Sequence, residues 1–489
     1  MFLNNKKMQT KLKVVVLGAG FGGLELSTIL SEKLGDQLDL TLIDKNDSFF
    51  FGYSKFDVMF GHKPSAAVRI AYNNIIKPGV KFVRDIITSI DPVTKNVTTQ
   101  NGNYEADILV IALGADYDIA ATPGLAEGGN EFYSFGGAER LREVLPIFSK
   151  GKVIVGVCSA PFKCPPAPSE AALLMHDYLT KRGIRNECEI SIVMPFGLPI
   201  PPSPDTSKAL LTAFAERNIH FIPKHNVKAI DPSRHVAILD DGTEMAFDLF
   251  LGIPKHCAPD VVVKSGMTVN GWIPVDKTNL KTKYPGVYAI GDVNSVGTPK
   301  AGVFAEGAAK IAAASIIADI ENADQPAAYK GDGICYIEFG SGRVGKVNVE
   351  FFTGPSPHGT YTEASIELVA DKEYFGSSRT ARWFGVETIS VAELNKSIEA
   401  NEVFLIDLMN KEDFTNSHIP GAVNIPIEEL GNRLSEIPKD KDLVVACRRG
   451  LMKSDLALQQ LHRSGFRDAK KVNGGTNAWF ETFPVENLK

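Results

Sequence analysis

Runs of apolar residues that end at polar or glycine-rich turns define the first part of this sequence. Residues 13–44 contain an apolar run, a turn rich in glycine, a segment with apolar residues at helical spacing, and a second apolar run. This order predicts a strand, a helix and a parallel strand. A further apolar run begins near residue 151 and leads into a helix predicted from about Ser169. Two such units predict an α/β protein with two Rossmann-like lobes.

The turn after the first predicted strand, GAGFGG, has the glycine spacing of a dinucleotide-binding site. Gly18 permits the tight turn, and Gly20 lets the backbone approach a pyrophosphate. Gly23 allows the helix to pack closely on the strand. Asp44 ends the next predicted strand, about 20 residues further on, where an acidic residue binds a ribose hydroxyl. These residues predict a nucleotide site at the start of the chain.

The corresponding turn of the second lobe, CSAPFKCPPAP at residues 158–168, has a different composition. Prolines lack a backbone N–H and fix φ, so this turn does not offer the row of donors that a pyrophosphate requires. An ordinary nicotinamide site is therefore not expected in this lobe. Cys164 stands in the middle of the proline-rich turn, which makes it a candidate for chemistry.

The later part of the chain changes pattern twice. Residues 333–352, GICYIEFGSGRVGKVNVEFF, alternate apolar and polar positions around a Gly-Ser-Gly turn and predict a hairpin that contains Cys335. From about residue 386, short strands alternate with helices and predict a separate small α/β domain. We therefore expect one module over residues 12–385, with a modified second lobe at 151–260, and another over residues 386–489.

The composition of the chain excludes some classes of function. The 489 residues are 44% apolar and 22% charged, with a net charge of −6, which gives no basic field for nucleic acid. No long apolar run and no secretory signal are evident, so a cytoplasmic protein is expected, with peripheral contact with the cytoplasmic membrane left open. Six scattered cysteines do not form a secreted disulfide framework. In a reducing compartment, unusual thiols point to redox or nucleophilic chemistry, and no metal site is expected.

A second segment, far along the chain from the glycine turn, also indicates a bound nucleotide. Residues 283–293, KYPGVYAIGDV, precede a helix rich in glycine and alanine. This segment resembles the second FAD segment of flavoproteins that have two dinucleotide-binding domains. The resemblance implies FAD, with Gly291 in the turn and Asp292 on the ribityl chain. Lys300, in TPKAGVF, is a candidate for placing positive charge near reduced flavin.

The two cysteines make the resemblance more specific. Residues 12 to about 385 resemble the sulfide:quinone oxidoreductases and the flavocytochrome c sulfide dehydrogenase flavoproteins. These families carry one redox cysteine in a loop matched by KCPPAP, at Cys164, and another in the late strand region, at Cys335. From residue 386 the chain resembles a rhodanese domain, on the segments HIPGAVNIP, CRRGLMKS and NGGTNAW.

The resemblance implies a function with two parts. The flavin part would oxidise sulfide or a sulfane-sulfur compound through Cys164 and Cys335, with a quinone or a cytochrome as electron acceptor. The rhodanese part would carry the sulfur as a persulfide on Cys447. Its loop also contains positive residues expected to bind the sulfur anion: Arg448, Arg449 and Lys453.

The chain departs from these families at several points, and the departures affect the expected cofactor attachment and electron acceptor. No cysteine precedes Cys158, so FAD is expected to bind non-covalently. The chain runs into the rhodanese domain where the quinone enzymes have amphipathic membrane-docking helices, so the acceptor stays open, as does homo-oligomerisation. Two alternatives remain at this stage: an NAD(P)H-dependent persulfide or disulfide reductase with a rhodanese domain, and a non-enzymatic flavin redox sensor.

Overall fold

The computed structural model describes residues 11–450, 452–466 and 468–483. The described chain divides into two compact units, with the main division between Val369 and Ala370, and residues 74–76 grouped with the second unit. Among the described residues, no helix combines the length and the apolar character needed to cross a bilayer. The first ten residues, where no secretory signal is expected, lie outside the described part.

The first lobe is built on a five-stranded parallel sheet in the order β20-β9-β1-β2-β5, whose last strand, β20 (Val287–Ala289), comes from far along the chain. Its central strands are apolar because both faces of the sheet are covered, one of them by an apolar cluster that includes Ile90 and Val97 of a three-stranded antiparallel sheet. The elements up to residue 147 are β1 (Leu12–Leu17), α1 (Phe21–Leu34), β2 (Leu38–Asp44), β3 (Ser48–Phe49), α2 (Ser54–Met59), β4 (Ile70–Ala71), β5 (Val80–Arg84), β6 (Ile87–Asp91), β7 (Asn96–Thr99), β8 (Asn103–Glu105), β9 (Ile108–Ile111), β10 (Asp116–Asp118), α3 (Leu125–Gly128), β11 (Asn130–Glu131) and α4 (Phe135–Ile147).

The second lobe repeats the arrangement with a parallel sheet in the order β11-β18-β12-β13-β14. Its first crossover helix, α5, begins at Ala167, two residues before the predicted start. The elements of this lobe are β12 (Gly151–Val157), α5 (Ala167–Lys181), β13 (Cys188–Met194), α6 (Pro204–Glu216), β14 (Ile219–Pro223), β15 (Val227–Asp231), β16 (Val236–Leu239), β17 (Glu244–Ala246), β18 (Leu249–Ile253), β19 (Lys255–Cys257) and α7 (Asp260–Lys264).

The chain then completes the first sheet and adds a β-rich part. Helix α8 (Gly302–Glu321) packs closely on α1, where a Cβ at Gly22 would lie 3.5 Å from the carbonyl oxygen of Ala305. The predicted hairpin is confirmed as β21 (Gly333–Gly340) and β22 (Arg343–Glu350), and a third antiparallel strand, β23 (His358–Ser365), extends it. Helix α9 (Glu367–Phe384) contains the division between the units.

The second unit contains a five-stranded parallel sheet in the order β24-β28-β27-β25-β26. Two apolar clusters cover its faces, one around Leu458 and Val445 and the other around Trp479 and Leu394. The elements are β24 (Thr388–Ile389), α10 (Val391–Glu399), β25 (Val403–Asp407), α11 (Lys411–Asn416), β26 (Val423–Asn424), α12 (Ile427–Leu430), β27 (Asp442–Ala446), α13 (Met452–Arg463), β28 (Lys470–Val472) and α14 (Gly475–Thr482). The predicted fold class of two Rossmann-like lobes, a β-rich part and a small α/β domain is thereby confirmed.

Candidate active sites

The glycine turn between β1 and α1 fits a dinucleotide. Gly18 has a φ of +101°, and a Cβ there would lie 2.4 Å from the carbonyl oxygen of Ala112. A Cβ at Gly23 would lie 1.9 Å from the carbonyl oxygen of Gly18, so close packing of helix on turn requires this glycine. A Cβ at Gly20 would meet no atom within 4 Å. The chain's own packing therefore explains Gly18 and Gly23, while the approach of a pyrophosphate to the backbone at Gly20 stays a prediction.

Asp44 stands at the end of β2 beside this turn. One of its carboxylate oxygens accepts a hydrogen bond of 2.8 Å from the Ala19 N–H, and the other accepts from the backbone and side chain of Asn46. The carboxylate therefore holds the turn and its own loop in place. Each carboxylate oxygen has more than one lone pair, so binding of a ribose hydroxyl by Asp44 stays a prediction.

The second FAD segment forms a turn after β20. Gly291 has a φ of +76°, and Asp292 follows it. The Lys300 side chain is buried, and its Nζ donates hydrogen bonds to the carbonyls of Asp292, at 2.5 Å, and Asn294, at 3.3 Å. It also lies 3.3 Å from the centre of the Trp272 ring. Lys300 thus supports the turn that presents Asp292, and its action on reduced flavin stays a prediction.

Two buried ammonium groups face the Asp292 carboxyl group. Burial raises the pKa of Asp292, while Lys163 and Lys300 act in the opposite direction. Burial lowers the pKa of Lys300 to about 8, although Asp292 opposes the shift. The two lysines therefore place positive charge beside the second FAD segment. This donor set fits a flavin site, since reduced flavin carries negative charge near such groups.

The proline-rich turn is fixed against the Lys300 segment. The N–H of Cys164 donates to the carbonyl of Lys300 at 2.8 Å, and Lys163 pairs with Lys300 as in a short parallel bridge. The N–H of Lys163 donates to Nε2 of His256 at 3.2 Å. Cys164 itself has a φ of +47°, in the left-handed region that non-glycine residues seldom adopt. The turn therefore presents Cys164 in one defined orientation.

Cys335 is brought to the same region by the packing of α5 on β21. A buried glutamate joins these elements, because Glu170 of α5 accepts a hydrogen bond of 3.1 Å from the N–H of Glu338 on β21. Cys164 and Cys335 are both partly exposed, both are free thiols, and each packs against the same apolar cluster. The fold thus brings two cysteines that are far apart in sequence to one apolar cluster, and their pairing stays a prediction.

The surroundings of the pair disfavour free thiolates. Burial raises the pKa of Cys164 to about 11, Glu170 adds to this shift, and Lys55 and Lys163 oppose it. Burial also raises the pKa of Cys335 well above its ordinary value, with Cys164 and Glu170 contributing. A thiolate released at this site therefore depends on nearby donors and cations.

The turn that holds Cys164 has few donors left for a nicotinamide nucleotide. Prolines at 161, 165, 166 and 168 have no N–H. The N–H groups of Cys158, Lys163, Cys164 and Ala167 donate to acceptors within the protein. The absence of a pyrophosphate cradle from this turn, inferred from the prolines, therefore agrees with its hydrogen bonding.

Cys447 begins the loop that connects β27 to α13 in the second unit. Its carbonyl accepts from the N–H groups of Gly450, at 3.2 Å, and Thr476, at 3.0 Å. A Cβ at Gly475 would lie 2.1 Å from that carbonyl, so the NGGTNAW segment closes over the loop only because glycine stands there. Cys447 is buried at the edge of an apolar cluster. Residue 451 of the loop lies outside the described residues.

The three cations predicted beside Cys447 differ in their surroundings. Arg448 is exposed and forms an ion pair of 3.0 Å with Asp413 of α11. Arg449 is exposed and Lys453 is partly exposed. Lys453 is also near enough to Asp407 to lower the pKa of that carboxyl group, which burial raises. Arg448 is therefore already paired with a carboxylate, and the binding of a sulfur anion by these three residues stays a prediction.

The match to known families covers both units. A family described as pyridine nucleotide-disulphide oxidoreductase matches residues 12–316, and one described as a rhodanese-like domain matches residues 390–482. The first match extends over more than half of the chain.

The chain belongs to the pyridine nucleotide-disulphide oxidoreductase family. Members of this family are FAD-binding flavoproteins, so the predictions of FAD and of an FAD-dependent oxidoreductase are confirmed. Non-covalent attachment stays a prediction.

Three individual proteins are similar to parts of this chain. The mitochondrial sulfide:quinone oxidoreductase of Mus musculus is 29% identical over 323 residues, which are 63% of this chain and 70% of that protein. The crystal structure of the sulfide:quinone oxidoreductase of Aquifex aeolicus has a TM-score of 0.68 at 24% identity, covers 76% of this chain and 92% of its own, and shows the fold. Thiosulfate sulfurtransferase GlpE of Shewanella oneidensis is 37% identical over 93 residues, 19% of this chain and 91% of that protein. The C-terminal segment is therefore a rhodanese-like domain.

Sequence reasoning missed several residues around Cys164. His256 accepts the Lys163 N–H, and its own Nδ1 lies 2.9 Å from the Pro254 carbonyl, to which it donates. Burial, together with Lys163, lowers the pKa of His256 to about 3, which keeps the imidazole neutral and able to accept. Its place on β19, three residues beyond the carboxyl end of the parallel strand β18, is the signal that could have indicated it. Lys55 had no comparable signal.

Two alanine substitutions in the glycine turn separate FAD binding from folding. Gly23→Ala is expected to lower the thermal unfolding temperature of the flavin-free protein, because the new Cβ overlaps the Gly18 carbonyl. Gly20→Ala is expected to leave that temperature unchanged and to weaken FAD binding about tenfold or more, at a cost of about 1.4 kcal/mol. Calorimetry and flavin titration measure both effects. Equal FAD affinity in Gly20→Ala and wild type would contradict the assignment of this turn.

Proposed function

We propose that the flavin module oxidises sulfide, or another sulfane-sulfur compound, at a Cys164–Cys335 pair and passes the electrons to a quinone or cytochrome-type acceptor. The observation that carries the proposal is the rebuilt turn of the second lobe, where hydrogen bonds to Lys300 and His256 fix the residues around Cys164. The packing of α5 on β21 adds Cys335 to the site. The name of the mitochondrial sulfide:quinone oxidoreductase of Mus musculus supports sulfide as reductant and quinone as acceptor.

The cysteine pair provides a balanced route for the sulfur. In the oxidised state the two thiols form a disulfide, and HS⁻ attacks one of its sulfurs. A bond forms between the sulfide sulfur and that cysteine, the bond between the two cysteines breaks, and the other cysteine leaves as a thiolate. The incoming sulfur is oxidised by two electrons to the sulfane level, and the disulfide is reduced by two electrons.

The cycle closes when the sulfane sulfur leaves. A nucleophile such as a thiolate or sulfite takes the outer sulfur of the persulfide, and the cysteine that held it is released as a thiolate. Re-forming the disulfide from the two thiolates then gives up two electrons. Bound FAD supplies the two-electron acceptor that this step needs.

Charged residues around Cys164 and Cys335 affect how readily a thiolate forms there. Lys55 and Lys163 oppose the rise in the pKa of Cys164 that burial and Glu170 cause. They therefore stabilise a thiolate at Cys164 relative to the same site without cations. Lys163 is held for this role, since its Nζ donates to the carbonyl of Ala115 at 2.5 Å and lies 3.3 Å from the hydroxyl oxygen of Tyr117.

We extend the proposal to the rhodanese-like domain, where Cys447 takes up sulfane sulfur. The Cys447 thiolate attacks the outer sulfur of a donor, the sulfur–sulfur bond of the donor breaks, and the donor leaves as an anion. Attack on the resulting persulfide by a thiol, sulfite or cyanide delivers the sulfur and restores Cys447. Arg448, Arg449 and Lys453 bring positive charge to the anions involved. The name of the thiosulfate sulfurtransferase relative supports this reaction.

Serine substitutions test the cysteine pair. Cys164→Ser and Cys335→Ser are each expected to slow the anaerobic bleaching of bound flavin by sulfide about a thousandfold or more, since each removes a sulfur that changes bonding. Both variants should keep their flavin, and dithionite should still reduce it. Cys188→Ala is the matched control, because Cys188 is buried at the start of β13 and takes no part in the proposal. Bleaching at the wild-type rate in Cys164→Ser would refute the proposed pair.

A separate substitution tests the second domain. Cys447→Ser is expected to abolish sulfur transfer from thiosulfate to cyanide, because serine cannot carry a persulfide. Flavin bleaching by sulfide should stay at the wild-type rate, since the first step uses the other cysteines. Thiocyanate formation and flavin absorbance are measured on the same preparation. Thiocyanate formation that survives the substitution would rule out Cys447 as the sulfur carrier.

A further inference from the structure

The hydroxyl group of Tyr133 has no hydrogen-bond partner among the described residues, although it is buried. Tyr133 follows β11 and is only 4% exposed, and its hydroxyl oxygen is among the few buried side-chain atoms left without a partner. A buried O–H that donates to nothing costs free energy, and most native structures avoid it. Such a group in a redox site indicates a partner that forms during the reaction.

The remaining polar groups of Tyr133 are all engaged. Its N–H donates to the carboxylate of Glu131 at 2.8 Å. Its carbonyl accepts from the hydroxyl of Tyr117 at 2.9 Å and from the ammonium group of Lys55. Lys55 also lies over the Tyr133 ring, 5.5 Å from its centre. The backbone is therefore held firmly, and the hydroxyl alone is left over.

The ring of Tyr133 is held by the same residues that fix the Cys164 loop. It makes edge-to-face contacts with His256, at 5.3 Å between ring centres, and with Tyr117, at 6.4 Å. His256 accepts the N–H of Lys163, and Tyr117 lies against the Lys163 ammonium group. The phenol therefore has a fixed position relative to the cysteine loop.

The electrostatics of the Tyr133 hydroxyl agree with this position beside the cysteine loop. Burial raises the pKa of Tyr133 well above its ordinary value, and Cys164 makes the next contribution, followed by Tyr117 and Glu170. A phenol with a raised pKa stays protonated and remains a donor at neutral pH. Cys164 is a free thiol in this structure, and a neutral thiol is a weak acceptor. A thiolate or persulfide anion is a much stronger one.

We propose that the Tyr133 hydroxyl donates a hydrogen bond to the sulfur anion that forms at Cys164 during turnover. The proposal rests on the proposed role of Cys164. The hydroxyl stabilises the anion as Cys164 leaves the disulfide or carries the persulfide, and it is without a hydrogen-bond partner among the described residues in this structure. Glu170 repels the same anion, so the donor offsets a repulsion that the fold itself creates.

Tyr133→Phe tests the proposal through the reactivity of Cys164, separately from turnover. Protein with bound flavin is reduced with a phosphine and alkylated with iodoacetamide between pH 7 and 10, and the Cys164 peptide is quantified by mass spectrometry. A rise of about one unit in the pKa of Cys164 lowers its thiolate fraction about tenfold. The higher nucleophilicity of the more basic thiolate offsets part of this effect, so alkylation should slow about three- to tenfold.

A control variant and the thermal unfolding temperature show whether a change in Cys164 alkylation comes from the loss of the Tyr133 hydroxyl. Tyr288→Phe removes another buried hydroxyl, one that bonds to Asp319 in the first lobe, and should leave Cys164 alkylation unchanged. Tyr133→Phe should not lower the unfolding temperature, because it removes an unpaired polar atom and keeps the ring. Unchanged alkylation, or a clear fall in the unfolding temperature, would overturn the proposal. The serine variants decide the role of Cys164 independently, since they read flavin reduction by sulfide.

Discussion

The hydrogen bond from the Cys164 N–H to the Lys300 carbonyl joins the two parts of the flavin module that carry its chemistry. One partner belongs to the turn of the second lobe, and the other belongs to the segment after the second FAD motif. Because the turn is built from prolines, it gains its fixed shape from φ restriction and from this pairing, without a bound nucleotide. The turn therefore lacks the backbone donors of a phosphate site, and it holds the Cys164 thiol in one orientation.

Charge and burial determine what that thiol can do. Burial and Glu170 raise the pKa of Cys164, while Lys55 and Lys163 lower it. Lys163 also acts on Asp292, so the cysteine loop and the second FAD segment share one cation. A buried site of this kind favours the disulfide and the neutral thiol, and it stabilises an anion only where a donor or cation is provided. The unpaired Tyr133 hydroxyl and the buried lysines are the groups available for that purpose.

The predictions from sequence depended on local patterns. The residues that these predictions missed are brought together by tertiary contacts. The glycine turn, the hairpin around residue 341 and the alternating elements after residue 386 depend on short-range periodicity, so the sequence was sufficient for them. The pairing of Cys164 with Cys335 came from family resemblance, since only the packing of α5 on β21 connects them. Tyr133 and His256 stand alone in sequence and were not predicted. The ion pair between Arg448 and Asp413, which limits one predicted anion-binding residue, also depends on the folded chain.

The most direct test of this account compares the reductants of the bound flavin. Wild-type protein with its flavin oxidised is mixed anaerobically with sulfide in one experiment and with NADH in another, and flavin absorbance near 450 nm, a general property of the oxidised flavin, is followed by stopped flow. A rebuilt second turn predicts rapid bleaching by sulfide and slow or no bleaching by NADH. Rapid bleaching by NADH together with unchanged absorbance in sulfide would contradict it and would favour a nicotinamide-dependent reductase.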